Sequence, residues 1–338
     1  MAIKLDKKDK QLLSLLYGNS RMSFTEMGKR LRLGSSSVER RMRHLKEEGV
    51  ISLLFADVNL LKLGYRAYRL YFRFDVMDEK TEKEVLSLFE TYPRTLWGVV
   101  CEGEYDVLWR IIEKDETDVE NAAYLMIERF GDRIVEKAVA TTTYQTYLSW
   151  NKALGTGRRP AMPIERITEI EHVDDADMKI LSALYGNARE TRVDLAKLVG
   201  LTPDAVQYRL KRLTERGFVL GYSAWFDARS LGFNYYKLLI GFRSATKEKE
   251  QEFLRFCEEC DDVIFINKTI GSWDIEVDII VRDNSELHGF MRGIKTRFGN
   301  IVGKHQAISA VEERMLNPLR GHLGKKEKES TEKIERRR

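Results

Sequence analysis

The apolar positions of the first fifty residues repeat at intervals of three and four, as they do on one face of a helix. A first helix is predicted from Leu12, Leu13, Leu16 and Tyr17, with Gly18-Asn19 as its end signal. A short second helix is predicted over residues 24–31, and a third from about Ser35 to Gly49. The apolar Val50-Ile51 then begins an extended stretch, so the pattern predicts a helix-turn-helix followed by a wing.

The next hundred residues change to the apolar spacing and β-branched content of strands. The expected strands and helices, in chain order, are Tyr65–Phe74, a helix around Val85–Tyr92, Thr95–Cys101, Asp106–Ile112, a helix around Val119–Phe130, and Ile134–Tyr147. This β-α-β-β-α-β order is that of the ferredoxin-like arrangement.

The whole pattern occurs twice in the chain. Leu16-Tyr17-Gly18-Asn19-Ser20-Arg21 is repeated as Leu184-Tyr185-Gly186-Asn187-Ala188-Arg189, and Gly103-Glu104-Tyr105-Asp106 as Gly271-Ser272-Trp273-Asp274. Both pairs are 168 positions apart (189 minus 21 and 274 minus 106). A constant offset over a whole half indicates a duplication.

The predicted fold class is therefore α+β, with two tandem copies of a winged helix-turn-helix domain followed by a ferredoxin-like βαββαβ domain. We place the helix-turn-helix domains at 1–54 and 173–222, the ferredoxin-like effector and dimerisation domains at 55–150 and 223–318, a linker at 151–172 and a basic tail at 319–338.

Charge is distributed unevenly between these parts. Residues 1–51 contain twelve Lys and Arg against six Asp and Glu, whereas residues 55–150 contain twelve against eighteen. A basic N-terminal segment followed by an acidic one predicts that the N-terminal segment binds a polyanion. No apolar run reaches the length that spans a bilayer and the N-terminus has no apolar signal region, so we expect a cytoplasmic protein without a membrane partner.

The third helix supplies the side chains expected to read DNA. With Val38 pointing inward at 100° per residue, Met42 and Leu45 share its side and Arg41 lies at the edge. The opposite face presents Ser36, Arg40, Arg43 and His44. Arginines on the second helix of a helix-turn-helix can bond guanine edges or phosphates in the major groove. The alternative is a solvated basic face, and the three-helix context favours the DNA contact.

The second copy presents Asp204, Tyr208, Lys211 and Arg212 at the same positions. Residues 174–219 hold eight basic and seven acidic side chains, and Asp204 would repel phosphate. We therefore expect weaker or different DNA binding by this copy, or its loss. Arg41 and Arg209 match across the copies beside the core, and each is expected either to hold a phosphate or to lock its unit internally.

The Gly-x-x-Asp turns that contain Gly103 and Asp106, and Gly271 and Asp274, lie between two predicted strands. Glycine permits a positive φ and a close approach by another backbone or a ligand, and the Asp could pair with an α-amine. A hairpin needs the same residues for its own turn, however, and on chemistry alone that structural interpretation is favoured.

Taken together, the Asp-x-x-Asp start, the Gly-Asn-x-Arg stop, the Arg-x-x-x-Leu-x-x-x-Gly helix end and the Gly-x-x-Asp turn resemble the leucine-responsive regulator/asparagine regulator family. The resemblance covers both halves. It implies a winged helix-turn-helix joined to a ferredoxin-like module that self-associates and binds small effectors, commonly amino acids, near the Gly-x-x-Asp turn. On that basis Gly103, Asp106, Gly271 and Asp274 are candidate effector-site residues. Thr141-Thr142-Thr143 is similar to the family's last strand, whereas the second copy has Ile308-Ser309-Ala310 there.

The resulting expectation is a transcriptional regulator that binds double-stranded DNA, is modulated by a small effector such as an amino acid, and self-associates through its ferredoxin-like domains. Two fused units could also pair within one chain as a pseudo-dimer. One rival is an enzyme, because sirohaem decarboxylases resemble this two-part fold, but the segments 94–98 and 264–268 lack the histidine expected there. Another is a non-specific architectural DNA-binding protein. No catalytic residues, metal site or cofactor are expected, and Cys257 and Cys260 are interpreted as structural.

Overall fold

The computed structural model describes residues 3–155, 162–164 and 169–323. In the first half the elements are α1 (Lys7–Gly18), α2 (Phe24–Leu31), α3 (Ser35–Glu47), β1 (Ile51–Val58), β2 (Arg66–Phe74), α4 (Glu79–Thr91), β3 (Thr95–Glu102), β4 (Val107–Glu113), α5 (Glu116–Phe130) and β5 (Ile134–Tyr147). Two short elements follow, α6 (Asn151–Leu154) and β6 (Met162–Ile164).

The second half repeats the same order. Its elements are α7 (Asp175–Gly186), α8 (Arg192–Val199), α9 (Pro203–Glu215), β7 (Val219–Phe226), β8 (Asn234–Phe242), α10 (Lys247–Glu258), β9 (Val263–Gly271), β10 (Ile275–Val281), α11 (Asn284–Phe298) and β11 (Val302–Met315), followed by a 3₁₀ turn at Arg320–His322. None of the helices in the described ranges is both long and apolar enough to cross a membrane.

Local sequence explains where the helices of each three-helix unit begin. The Asp6 side chain accepts a hydrogen bond from the Asp9 backbone N–H, and the Asp9 side chain accepts one from the Asp6 backbone N–H. This capping box fixes the start of α1. In the second copy Asp174 caps α7, and Thr202 caps α9, with Pro203 in its first turn. The prediction of an α+β protein with two helix-turn-helix units is thereby confirmed.

The two predicted ferredoxin-like domains do not have separate sheets. The first half contributes its strands in the order β5-β2-β4-β3 and the second in the order β11-β8-β10-β9. The two sets join through β3–β11 and β9–β5, so that eight antiparallel strands close into one barrel, with β6 added beside β5. Closure removes the exposed edges that two isolated sheets would have.

The last strand of each copy makes this closure possible. In β5, residues up to Thr141 pair with β2 of the same copy, and residues from Ala140 onward pair with β9 of the other. In β11, residues up to Ser309 pair with β8 and those from Ser309 onward pair with β3. Strands of 14 residues are long enough to span both partners. Helices α4 and α5 cover the outer face of the first half-barrel, and α10 and α11 that of the second.

The wing expected after each third helix is not an exposed hairpin. Instead β1 pairs antiparallel with β7, so that one strand from each copy forms a two-stranded ribbon. Consecutive apolar residues explain the difference. Leu53, Leu54 and Phe55 are all buried, so both faces of the strand pack against other parts of the protein. The Phe55 ring lies 6.2 Å from Tyr185 of α7, and Tyr17 of α1 lies 6.2 Å from Phe226 of β7.

Part of the predicted basic tail also belongs to the folded protein. Leu319, Arg320 and Leu323 are buried, and the Ser182 hydroxyl of α7 donates to the Leu319 carbonyl at 2.8 Å. The apolar side chains at 319 and 323 account for this packing. Residues 324–338 lie outside the described residues, as do 156–161 and 165–168 of the predicted linker.

Candidate nucleic-acid interface

The third helix of the first copy packs through one face and presents the other to solvent. Val38, Met42 and Leu45 are its buried residues. The exposed positions include the four predicted to face DNA, namely Ser36, Arg40, Arg43 and His44. The sequence therefore placed the inner and outer faces of α3 as the structure has them.

The basic side chains on this outer face are held loosely. Arg43 lies 3.6 Å from Glu39 and His44 lies 3.9 Å from Glu48, both as exposed pairs one helical turn apart. Such pairs contribute little and exchange readily with other anions. Among the described residues, no carboxylate lies within 4.0 Å of the Arg40 guanidinium. Arg40 and Arg43 are thus available to an external polyanion.

Arg41 has a different environment. Its Nη1 donates to Asp6 Oδ2 at 2.8 Å and to Asp9 Oδ1 at 2.6 Å, which ties α3 to the start of α1. The hydrogen bond to Asp9 is the largest cause of a raised pKa for Arg41. The pKa of Asp6 is lowered, first by the Asp9 backbone N–H and also by Arg41. Of the two roles expected for Arg41, this geometry corresponds to the internal lock.

The second copy uses its arginines in the same internal way, and more of them. Arg209 bonds Asp174 and Asp177 at 2.7 and 2.8 Å, as Arg41 does in the first copy. Arg212, a predicted DNA contact, also turns inward and bonds the buried Asp177 at 2.6 Å. Lys211 lies 3.7 Å from Glu215, and Tyr208 is 67% exposed. Tyr208 and Lys211 are therefore the predicted contacts that remain on the outer face of α9.

The two Gly-x-x-Asp turns lie against the last strand of the other copy. Gly103 has φ +149°, and a Cβ there would lie 3.2 Å from the carbonyl oxygen of Ala307 in β11. Gly271 has φ +138°, and a Cβ there would lie 2.4 Å from the Val139 oxygen of β5. Both glycines are thus required by backbone conformation and by close approach of a second backbone.

The aspartates of these turns accept hydrogen bonds from the ends of neighbouring strands. Asp106 Oδ2 accepts from the Phe74 backbone N–H at the end of β2, and Asp274 Oδ2 accepts from the Phe242 N–H at the end of β8, both at 2.7 Å. Each turn therefore satisfies the hairpin interpretation. The threonines of β5 differ in role: Thr142 accepts from Arg69, and Thr143 donates to the Lys268 carbonyl.

Sequence reasoning missed the charged interior of the barrel. Arg69 Nε lies 2.7 Å from Glu276 Oε2, and Lys237 Nζ lies 3.2 Å from the same oxygen and 2.5 Å from Asp278 Oδ1. Arg110, from β4, points into the same space and donates to Gln145. The available signal was the position of these charges at alternate residues within otherwise apolar strands, on the face opposite the helices.

A family model described as winged helix-turn-helix DNA-binding matches residues 5–52 and 173–219, once in each copy. The chain is 31% identical over 119 residues to the HTH-type transcriptional regulator Ptr1 of Methanocaldococcus jannaschii, covering 35% of this chain and 79% of that protein. It is 25% identical over 122 residues to the regulatory protein AsnC of Haemophilus influenzae, covering 36% and 81%.

Among solved structures, the siroheme decarboxylase NirDL superimposes with a TM-score of 0.62 over 97% of this chain and 98% of that one. At 12% sequence identity this likeness concerns the fold alone, and it extends to both halves together. The regulators, in contrast, match about a third of the chain over most of their own length. The duplicated motifs, the two helix-turn-helix matches and the identity to Ptr1 establish that this chain belongs to the leucine-responsive regulator/asparagine regulator family of transcriptional regulators, in a tandem duplicated form.

Proposed function

We propose that this protein regulates transcription by sequence-specific binding of double-stranded DNA, and that α3 of the first copy is its principal reading element. The observation that carries the proposal is the exposed face of α3, where Arg40 has no acidic partner among the described residues and Arg43 has only a loose one. A guanidinium in the major groove can bond guanine O6 and N7 together, which discriminates bases as well as attracting phosphate.

The second copy is proposed to support this contact without reading bases to the same extent. With the offset of 168, Arg40 corresponds to Tyr208, Arg43 to Lys211 and His44 to Arg212. Arg212 is engaged by Asp177, and Asp204 stands exposed in the first turn of α9, where it repels phosphate. Tyr208 and Lys211 are left to make phosphate or apolar contacts, which orient the protein on the duplex.

The barrel supplies the pairing that the family resemblance predicts between separate copies. We interpret β5-β2-β4-β3 and β11-β8-β10-β9, each with two outer helices, as two ferredoxin-like modules joined within one chain. The self-association expected of such modules is then made intramolecularly. The unit that binds DNA is accordingly proposed to be a single chain with two unequal helix-turn-helix units, suited to an asymmetric operator.

We further propose that a small effector such as an amino acid acts at the Gly-x-x-Asp turns. Asp106 and Asp274 each use Oδ2 for a strand-end N–H, and Oδ1 makes no hydrogen bond to the described residues. That oxygen can accept from an α-ammonium group, and the glycine of each turn, Gly103 or Gly271, is itself exposed. Because each turn also touches the last strand of the other copy, an effector there would act on the seam between the copies.

The test is a binding titration of the full chain with DNA from its own upstream region and with a random duplex of equal length, each at several salt concentrations. We expect selective binding to the upstream DNA, which Arg40→Ala weakens at least tenfold. Arg30→Ala, which removes an exposed α2 arginine paired with Glu26, serves as the matched control and is expected to change affinity less than threefold. Equal and steeply salt-dependent binding to both duplexes would instead indicate an architectural DNA-binding protein.

The shared fold of NirDL gives the enzyme alternative a definite test. Within the described part of the chain, no histidine lines either of the two barrel cavities that contain Arg110. Anaerobic incubation with sirohaem is expected to return it unchanged. A decarboxylated product would replace the regulator proposal with the enzyme.

A further inference from the structure

Among the described residues, Arg69, Lys237 and Arg110 share the interior of the barrel with the carboxylates of Glu276 and Asp278. Two of the cations are compensated, because Arg69 pairs with Glu276 and Lys237 lies between Glu276 and Asp278. Tyr71 donates to Glu276 and Tyr235 donates to Asp278, which completes this network. The third cation, Arg110, stands outside it.

Arg110 is buried without a counter-ion. It is 8% exposed, and within the described ranges no carboxylate lies within 4.0 Å of its guanidinium. Its one hydrogen bond is to the neutral Gln145 side chain, its Nε has no hydrogen-bond partner, and the Phe265 ring lies 5.7 Å away. Burial, and secondarily Arg69, lower the pKa of Arg110 to about 10, which still leaves it charged at neutral pH. A buried charge in this state is costly unless a partner arrives.

Arg110 lies on the wall of two adjoining cavities, which share Leu96, Arg110, Tyr147 and Tyr185. The first lies between the barrel and the β1–β7 ribbon and has mainly apolar walls, among them Leu53, Phe55, Trp97, Trp225 and Met315. The second is lined by residues that include Asp57, Thr142 and Thr143.

Two tyrosines line both cavities together with Arg110. These are Tyr147 and Tyr185, which interact electrostatically with Arg110 and whose hydroxyls make no hydrogen bond to another described residue. Burial raises the pKa of each phenol, so both remain protonated donors. One unpaired guanidinium with two phenol donors in an apolar enclosure is complementary to a single negative charge on an apolar body.

We propose that the barrel cavity around Arg110 is a binding site for a small organic carboxylate, with the carboxylate on Arg110 and the apolar part against the ribbon. Phosphate is a poorer match, because the charge of a dianion would exceed that of Arg110, which has no carboxylate partner among the described residues. Among the described residues, Asp57 on the second cavity also has no cationic partner, so a ligand with an ammonium group beside its carboxylate would fit as well. The site shares no lining residue with the Gly-x-x-Asp turns.

An occupant of this site would touch the elements that carry both DNA-binding units. Leu53 and Phe55 belong to β1, which follows α3, Trp225 belongs to β7, which follows α9, and Tyr185 belongs to α7. The site is therefore placed to influence how the two units are held, although its existence does not depend on DNA binding.

The experiment uses the full chain without DNA and 3-phenylpropanoate as the probe. Tm and the fluorescence of Trp97 and Trp225 are followed against probe concentration for the natural protein, for Arg110→Gln, and for Arg73→Gln as a control on an exposed β2 arginine. We expect a saturable rise in Tm and a fluorescence change in the natural protein and in Arg73→Gln, with at least tenfold weaker binding by Arg110→Gln.

Three further probes define the ligand class. The neutral 3-phenylpropanamide and inorganic phosphate are expected to bind at least tenfold more weakly than 3-phenylpropanoate. L-Phenylalanine keeps the carboxylate and adds an ammonium, and its affinity relative to 3-phenylpropanoate shows which kind of carboxylate the site takes.

Three results would overturn the proposal. The first is no saturable effect of either carboxylate on the natural protein, and the second is equal binding of the amide or of phosphate. The third is a lower Tm for ligand-free Arg110→Gln than for ligand-free Arg73→Gln, because it would show that the Arg110 guanidinium stabilises the fold without a bound anion. None of these measurements involves DNA, so a failure of this proposal can be distinguished from a failure of the proposed DNA-binding function.

Discussion

Arg189 of the second copy donates from Nη1 to the carbonyl oxygen of Ser20 in the first copy at 2.8 Å, and also to that of Met22 at 2.9 Å. The relationship is reciprocal, because Arg21 donates to the Ala188 carbonyl at 2.5 Å. Both arginines come from the Gly-Asn-x-Arg motif that ends the first helix of each unit. The motif therefore joins the two helix-turn-helix units across the pseudo-two-fold axis.

Removing Arg189 is expected to destabilise the protein by about 2 kcal/mol, because two backbone carbonyls lose a charged donor at once. Its stacking at 4.4 Å over the Phe24 ring would be lost as well. Urea unfolding of Arg189→Ala measures the effect. Arg192→Ala, an exposed arginine three residues further on, is the control and should change stability by less than about 0.5 kcal/mol. Equal effects of the two variants would refute a joining role for Arg189.

The matched positions Arg212 and His44 are expected to separate stability from DNA affinity. Arg212→Ala leaves the buried Asp177 with Arg209 alone and should cost about 1–3 kcal/mol of unfolding free energy, with little effect on DNA binding. His44→Ala, on the exposed face of α3, should show the opposite pattern. Denaturant titration and DNA titration of both variants provide the comparison. A larger loss of DNA affinity for Arg212→Ala than for His44→Ala would contradict the assignment.

Substitution of either turn glycine by alanine is expected to destabilise the protein, and to different degrees. Both positions have positive φ, which costs an L-residue on the order of 1–3 kcal/mol. Gly271→Ala should be the worse, since its Cβ would meet the Val139 oxygen at 2.4 Å, whereas at Gly103 the nearest backbone oxygen is at 3.2 Å. Tm values of the two variants test the order. A higher Tm for Gly271→Ala than for Gly103→Ala would show that the β5 contact does not limit this turn.

Asp57 is expected to give stability a measurable pH dependence. Burial raises its pKa from 3.8 to about 7, so the folded state retains a proton that the unfolded chain releases above about pH 4. The contribution of Asp57 to stability therefore falls as pH rises from about 4 to 7, by up to about 4 kcal/mol. Asp57→Asn should remove this fall, and the exposed Glu120→Gln should not. Parallel pH profiles for natural protein and Asp57→Asn, measured by urea unfolding, would show that Asp57 does not titrate in this range.

The features that could be predicted from sequence are those set by local periodicity. Val38, Met42 and Leu45 defined the inner face of α3 because helical geometry alone fixes which residues share a face. The duplication likewise predicted where Arg209 would repeat the position of Arg41. The sequence did not show whether each of these guanidinium groups binds two aspartates or a phosphate, because the aspartates are distant from them in sequence.

The features that were missed depend on pairing between the copies. Nothing local in Leu53, Leu54 and Phe55 shows that their strand partner is β7 of the other copy, so the stretch was expected to form a wing. Closure of the barrel is similar, since β5 changes partners at Ala140 and Thr141 without a break in its own pattern. Arg110 became a candidate site only when the barrel enclosed it, because its sequence neighbours give no information about the missing counter-ion.

The central claim is that the first copy reads DNA and the second mainly supports it. The most direct measurement compares the affinity of Arg40→Ala and Tyr208→Ala, which truncate matched positions of α3 and α9, for the upstream DNA and a random duplex. We expect a loss of about 1–3 kcal/mol in upstream binding for Arg40→Ala, with reduced selectivity, and less than about 0.7 kcal/mol for Tyr208→Ala. Equal losses from both variants, or a larger loss from Tyr208→Ala, would contradict it.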